Sequence, residues 1–368
     1  MPTSLRIASF NVENLFARPK VLNLKDQREG NTILEKINEL QQLLKNAVYT
    51  DVVKQRILEL YKGELKPYID VREDRGKLFL RKGFAVTGVK ADGVKDWDGA
   101  IEFKRAKFSE IVRQNTAKVI SDVMADVFCI VEAEDRPTLQ SFNSELVKKK
   151  FPYSILIDAN DPRGIDIGLY SRYPLGEIRT HMFDKEDKKT IFSRDCLEVE
   201  TLLPTGQSLH MLCNHFKSKG YDVDGSASEK RERQARRVAQ ILERFDLEKD
   251  WVAVAGDFND NPNSPPLKPL LGVKNLYDVL ALQYPDHPLK RWTYHYKEFE
   301  QIDFLLVSKP LKERFVKAGV ERRGIANLKK MTTSSKGLVD IETEYDTVTS
   351  WTNSASDHGA VWADFTLG

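Results

Sequence analysis

The stretch Trp251-Val252-Ala253-Val254-Ala255-Gly256-Asp257-Phe258-Asn259-Asp260 constrains the fold of this chain more than any other. Its apolar run is too short for a helix and reads as a buried strand. Gly256 then ends it, so that Asp257 and Asn259 emerge at the carboxyl end instead of in the core. One residue apart on extended backbone, the two side chains leave on the same side. A carboxylate and an amide so placed can grip one small species together, such as a water molecule beside a phosphate. Asp, Asn and Pro262 are also ordinary turn residues, so in isolation the stretch reads as a strand and an Asx-rich turn. Recurrence along the chain changes that.

Leu5 to Phe10 alternates as a strand and runs into Asn11-Val12-Glu13-Asn14, where Asn11 and Glu13 share a side; helix capping is the plain alternative for such an Asn. Val127 to Val131 is apolar throughout, and Glu132-Ala133-Glu134-Asp135 follows directly. An acid at that depth needs a partner, and a cation would serve. Pro152 to Ile157 and Ile165 to Ser171 read as strands, the second holding Asp166, a position more often filled by a paired structural acid. Ser208 to Asn214 leads into His215-Phe216-Lys217-Ser218-Lys219. Arg291-Trp292-Thr293-Tyr294-His295-Tyr296 precedes the strand Ile302 to Val307 with its Asp303, and Ser356-Asp357-His358-Gly359 leads the last strand, Ala360 to Phe365.

Two amphipathic helices are expected among these strands. One carries Phe108, Ile111, Val112, Val119, Ile120 and Val123. The other spans Glu229 to Phe245, with Ala235, Val238, Leu242 and Phe245 inward and Arg233, Arg236, Arg237 and Arg244 roughly opposite. Such an arginine face is usually just solvated, and the alternative is an electrostatic rail for phosphates. The alternation of strands and helices, with no internal repeat and no dividing linker, predicts one layered α/β domain over residues 1–368.

Residues from about Lys20 to Phe103 read as an insertion. Thr32-Ile33-Leu34-Glu35 is a capping box, Ile33, Ile37, Leu40 and Leu44 follow at helical spacing, and a second helix with Val53, Ile57 and Leu60 stops at Gly63. Tyr68 to Val71 and Lys77 to Leu80 flank Asp74-Arg75-Gly76 as a hairpin. A cap or wall over a cleft is the expected role, against an oligomer contact or decoration. The 57 basic and 55 acidic side chains nearly cancel, so any affinity for a polyanion must come from a local patch. Cys129, Cys196 and Cys213 sit among apolar residues and read as buried hydrophobes in a reducing compartment. The amino terminus enters a strand without a charged lead or apolar core, and no long apolar run occurs, which predicts a cytoplasmic protein without membrane partners.

In this order the motifs resemble the endonuclease/exonuclease/phosphatase superfamily, the DNase I-like fold. Those that carry the resemblance are Ser9-Phe10-Asn11-Val12-Glu13, Ile130-Val131-Glu132-Ala133-Glu134, Arg163-Gly164-Ile165-Asp166, Asn214 to Lys219, Gly256 to Asp260, Gln301-Ile302-Asp303-Phe304 and Ser356-Asp357-His358. The resemblance implies a four-layer αββα sandwich and hydrolysis of a phosphate ester with Mg²⁺ or Mn²⁺, Ca²⁺ being a third option. It implies Glu132 as first metal ligand, with Glu13, Asn11 and Asp357 completing the set and Glu134 as a rival. Asp257 would align or deprotonate the attacking water, and Asn259 would fix that water and contact phosphate. His358, oriented by Asp303, would clamp the phosphoryl oxygens, and His215 would contact phosphate or assist the leaving group. A hard cation on oxygen ligands suits a negatively charged phosphodiester, and placed donors stabilise the charge that develops.

The chain departs from the family pattern in places. No tyrosine stands near Gly164 to Ile167, so Arg163 would supply that contact and Asp166 would orient His215. Gly359-Ala360 replaces the usual proline after Ser-Asp-His, and no Gln precedes Glu132. The first substrate expectation is nucleic acid, DNA or RNA, contacted by Asn214, Lys217 and Lys219 and stacked on Trp292 and Tyr294. The alternative is a small or lipid-headgroup phosphate, and the least favoured reading is a binding module whose catalysis has lapsed. No obligate protein partner is expected.

Overall fold

The computed structural model describes residues 4–15, 20–24, 27–104, 110–148, 150–161, 163–219 and 226–367. They form two compact units, one of residues 1–16 and 109–368 and the other of residues 17–108.

The larger unit is built on two six-stranded sheets. In the first, the strand order is Phe315–Glu321, Ala360–Thr366, Ser4–Leu15, Val127–Ala133, Asp166–Ser171, Tyr153–Ile157. In the second it is Leu276–Asp278, Asp303–Ser308, Trp251–Asp257, Ser208–His215, Cys196–Leu202, Leu175–Arg179. Each sheet is antiparallel except for its central pair, Ser4–Leu15 beside Val127–Ala133 and Ser208–His215 beside Trp251–Asp257. One strand of each parallel pair, Val127–Ala133 and Trp251–Asp257, is a near-continuous apolar run, as a strand buried on both faces must be.

Alternation sorts each strand between two cores. Leu5, Ile7, Val127, Cys129 and Val131 of the first sheet meet Leu209, Met211, Cys213, Ala253, Ala255, Leu305 and Val307 of the second, so the sheets pack face to face. The opposite face of the first sheet, with Phe10, Phe128 and Tyr170, is covered by Val119, Ile120 and Val123 of the helix Glu110–Val123. The far face of the second, with Leu212, Val254 and Phe304, is covered by Ala235, Val238 and Ile241 of the helix Ser226–Leu242. The result is the αββα sandwich. Phe108, expected at the start of the first helix, lies outside the described residues.

Gly256 does not end its strand, which continues through Asp257. A side chain at Gly256 would meet the Asn214 carbonyl oxygen at 1.9 Å, so the glycine permits close approach of the parallel neighbour, at φ +134°.

The smaller unit has its own core of Ile33, Ile37, Leu40, Ile57, Leu65, Phe79 and Trp97. Its first helix is Gln27–Leu44, so Thr32 is not a cap; its hydroxyl bonds back to the Arg28 carbonyl one turn earlier. The second helix, Asp51–Leu60, runs into a π turn, Tyr61–Leu65, and is broken at Gly63, where the backbone is non-helical, as the sequence leads one to expect. The hairpin expected around Asp74-Arg75-Gly76 does not form. Ile69–Glu73 pairs with Gly99–Phe103, and Phe79–Lys82 pairs with Ala85–Val89. The Glu73 carboxylate accepts the backbone N–H groups of Leu78 and Phe79, turning the chain away before the two segments can pair.

Candidate active site

The carboxyl ends of both parallel pairs lie at one end of the sandwich, and the polar residues that follow them converge there. Asp257 is the hub. Its Oδ1 accepts the Asn259 backbone N–H at 2.7 Å, and its Oδ2 accepts the side-chain amides of Asn259 at 3.0 Å and Asn11 at 3.1 Å. Asn11 belongs to the first sheet and Asp257 to the second, so this bond ties the sheets together at the site. The other end of the Asn11 amide accepts the Glu13 backbone N–H at 3.0 Å.

Asp303 stands opposite Asp257 in the antiparallel register. Its Oδ2 accepts from His358 Nδ1 at 2.8 Å, while His358 Nε2 lies 4.0 Å from Asp257 and 3.7 Å from Asp357. Burial alone would lower the His358 pKa, but Asp303, Asp357 and Asp257 outweigh it and hold the imidazole well above its usual value. Ser356 sets the ring's place, since its hydroxyl donates to the Asn11 carbonyl at 2.7 Å and accepts the His358 backbone N–H at 3.0 Å. Burial, and then the neighbouring Asp303 charge, push Asp257 up to about 7.

Glu132 lies inside its strand, where the pairing register with both neighbours shifts, at φ +67°. Glu13 holds φ +50° in the adjoining strand, across the same irregularity. Bulges of this kind re-aim side chains beside functional sites. Glu132 Oε1 comes 3.6 Å from His215 Nε2, which is also 3.7 Å from Asp257. His215 is buried, and burial followed by the charges of Arg194 and Arg163 keeps it well below its ordinary pKa, hence neutral.

Several assignments change. Asp166 does not orient His215: its Oδ1 accepts the Ala159 N–H, strand alternation puts it on the same face as Tyr170 of the outer core, and among the described residues His215 Nδ1 has no hydrogen-bond partner. Asn214 also faces away, because it neighbours His215 on one strand; its amide donates to the Leu212 carbonyl in the outer core. Trp292 is 1% exposed, packed on Leu328, Val339 and Phe299 under the Arg322 guanidinium, and cannot stack on a base. Tyr294 is half-buried and does reach the site, its ring 5.0 Å from that of His358. Lys219 is held by Glu300 at 2.6 Å. Both amide hydrogens of Asn259 are taken, by Asp257 and the Phe216 carbonyl, leaving its oxygen for a water proton and nothing for phosphate. The helix arginines are also engaged: Arg233 and Arg236 with Glu186, Arg237 with Asp184 and Arg244 with Glu198.

Sequence reasoning missed Arg194. It is buried, its Nε lies 3.1 Å from Asp161 Oδ2, and its Nη1 shares the Phe216 carbonyl with Asn259. Arg163 takes the same Asp161 oxygen at 2.6 Å. Burial would raise the Asp161 pKa, but the two guanidiniums bring it down to about 2. Lys230 donates to Ser193, next to Arg194, at 2.6 Å. Burial, then the charges of Arg194, Arg163 and Lys230, push Lys217 down to about 8. A positive cluster around one carboxylate therefore adjoins the acidic center. Nothing in the spacing of Asp161, Arg194 and Lys230 marks them as neighbours.

Glu13, Glu132 and Asp357 carry carboxylate oxygens and Asn11 retains a lone pair on an amide oxygen, donors of the kind a hard divalent cation takes. Among the described residues, the acids and histidines whose ligand atoms come within 4.8 Å of one another are Asp257, Asp303 and His358. This group reads as a hydrogen-bonded chain, since an imidazole held protonated by three acids has no lone pair to give. All three cysteines are buried and free. Among the described residues no helix is long and apolar enough to cross a membrane.

The chain is similar to known proteins along most of its length. It is 22% identical over 211 residues to a phospholipase C of Staphylococcus aureus, an alignment covering 51% of this chain and 64% of that relative. A solved endonuclease/exonuclease/phosphatase from Beutenbergia cavernae superposes with a TM-score of 0.54 at 16% identity, covering all of this chain and 72% of its own. A Bacteroides thetaiotaomicron protein of that family superposes with a TM-score of 0.52 at 12% identity over 100% and 99% of the two chains. These likenesses establish the DNase I-like fold. The family model for endonucleases, exonucleases and phosphatases matches residues 102–358, and the chain belongs to that family.

Proposed function

We propose that this protein is a divalent-metal-dependent phosphodiesterase that cleaves nucleic acid by attack of water on phosphorus. The observation that carries the reading is the buried Asp257, locked by Asn11 and Asn259 and facing the His358–Asp303 pair. Asp257 has a pKa near neutrality, which suits a general base for water. Asn259 offers its oxygen to the same water. The His358 imidazolium, fixed by Asp303, donates toward the phosphoryl oxygens where charge accumulates, a contribution of about 3 kcal/mol for one well-placed donor. His215, neutral and wedged between Glu132 and Asp257, is placed to donate a hydrogen bond to a phosphate or leaving oxygen without giving up its proton. Glu132, Glu13, Asn11 and Asp357 would hold Mg²⁺ or Mn²⁺, which supplies charge neutralisation at the phosphate.

The cluster of Arg194, Arg163, Lys217 and Lys230 favours a substrate with several phosphates. A second reading, a phospholipid headgroup ester, is favoured by the likeness to the staphylococcal phospholipase C. Such a headgroup often carries one phosphate and a cation of its own, which this cluster would repel. The test offers the purified protein, with Mg²⁺ or Mn²⁺, plasmid DNA, single-stranded DNA, RNA, phospholipid and a bis(p-nitrophenyl) phosphate ester, beside Asp257→Ala. Nucleic acid cleavage that chelation and the substitution both abolish is the expected result. Turnover of phospholipid without DNA or RNA cleavage overturns the nuclease reading.

A further inference from the structure

The smaller unit holds a feature that its own fold does not require. Phe79–Lys82 and Ala85–Val89 form a hairpin closed by Gly83 and Phe84, with Lys82 paired to Ala85. Gly83, at φ +60°, satisfies the turn's need for a left-handed first residue. The second turn position asks only for a small or polar residue, yet it carries Phe84. That ring is 103% exposed, and Leu80 on the same hairpin is 49% exposed. The inward positions Phe79, Val86 and Val89 supply the packing. Phe84 therefore contributes nothing to the core and leaves a bare aromatic face in water.

Its surroundings are basic. Arg81 and Lys82 precede the turn, and Arg81 is oriented by Glu73 at 2.8 Å while keeping 38% of its side chain exposed. Residues 17–108 hold twenty lysines and arginines against fourteen acids, whereas the remainder of the chain holds 37 against 41. The near-neutral total thus conceals a cationic insertion in an otherwise slightly acidic protein.

We propose that this hairpin is a docking element for single-stranded nucleic acid, in which Phe84 stacks on an unpaired base while Lys82 and Arg81 take the flanking phosphates. The inference rests on the nuclease reading above and adds to it a binding surface on the smaller unit. Stacking of one base on an aromatic ring is worth about 1–3 kcal/mol and needs no particular base, which suits a side chain without hydrogen-bonding groups. A membrane is the less suitable occupant. Burying Leu80 and Phe84 fully would yield about 3–6 kcal/mol, less than a single acyl chain that itself binds only reversibly. Of the neighbouring exposed positions, Ala85 adds only a methyl group, and Arg81, Lys82 and Thr87 are polar.

The test measures binding of the full-length protein to a labelled single-stranded oligonucleotide in chelator, by fluorescence anisotropy, and to phosphatidylcholine–phosphatidylserine vesicles by flotation. Phe84→Ala, Phe84→Trp and Lys82→Glu are compared with wild type, and turnover of bis(p-nitrophenyl) phosphate checks the catalytic center. Expected are an affinity loss of about 5- to 100-fold for Phe84→Ala, recovery with Phe84→Trp, a weaker and salt-sensitive complex for Lys82→Glu, and unchanged ester turnover in all three. The proposal is overturned if wild type does not bind the oligonucleotide, if Phe84→Ala and Lys82→Glu bind it as wild type does, or if Phe84 matters only for vesicles. Binding that depends on Phe84 in a protein that cleaves neither DNA nor RNA would support the docking element and overturn the nuclease reading instead.

Discussion

Asp257 and Asp303 face each other directly across two antiparallel strands, a like-charge pair buried at the end of the inter-sheet core. Like charges in that relation destabilise a sheet. The arrangement persists because His358 lies against both, 2.8 Å from Asp303 and 4.0 Å from Asp257. One imidazolium therefore serves two carboxylates, and the one it does not bond directly is the one raised toward neutrality.

Asp303→Asn separates the two functions of this pair. The amide retains an acceptor for His358 Nδ1 but withdraws the charge that holds the ring protonated. We expect turnover of bis(p-nitrophenyl) phosphate to fall by about 100-fold or more, with the thermal midpoint unchanged or raised because a buried like charge is gone. Wild-type turnover in the Asn variant would remove Asp303 from the mechanism.

Glu132 and Glu13 lead to a second expectation. Both hold left-handed backbone where the two parallel strands lose register, strain that packing alone does not demand. Glu132→Gln preserves size and removes the charge a divalent cation needs. Mn²⁺ binding, followed by titration calorimetry, should weaken and metal-dependent turnover should fall by about 100-fold or more. Intact Mn²⁺ affinity in this variant would transfer the ligand role to other residues, Glu134 first among them.

Lys217 tests the positive cluster. Lys217→Gln should raise KM for a polynucleotide and reduce the slope of log affinity against log salt by about 0.9, one phosphate contact. Turnover of the small bis-ester should stay at its wild-type value. If KM rises equally for both substrates, the lysine acts at the scissile phosphate and the cluster is no second contact.

The sequence revealed the strand ends better than the side chains' directions. His215, Asp257 and Asn259 end apolar runs, and Asp303 and His358 lead into them, so these strand ends were readable. Gly256 was misread as a terminator because a strand's close approach to its parallel neighbour leaves no local signal. Asn214 and Asp166 fell on the wrong faces through the period of two, one residue out of step with the site. Trp292 looked available because its burial depends on Leu328 and Val339, far along the chain. Arg194 was invisible for the same reason: Asp161 and the Phe216 carbonyl, which make it a site residue, lie 33 and 22 positions away.

Asp166 provides a test that distinguishes structure from chemistry. Burial, only partly offset by the Ala159 N–H, pushes its carboxyl up to about 7 from an ordinary 3.8. The folded state thus binds this proton more tightly than the unfolded chain does. Stability from the protonated acid is complete below about pH 4 and is lost as pH rises through about 7. Asp166→Asn keeps the acceptor for Ala159 and cannot ionise. Melting curves should show the variant more stable than wild type at pH 8, by on the order of a few kcal/mol, and the two converging near pH 4. Turnover should be retained, because the carboxyl lies on the helix side of its sheet. Loss of turnover without a change in the melting profile would return Asp166 to the catalytic set.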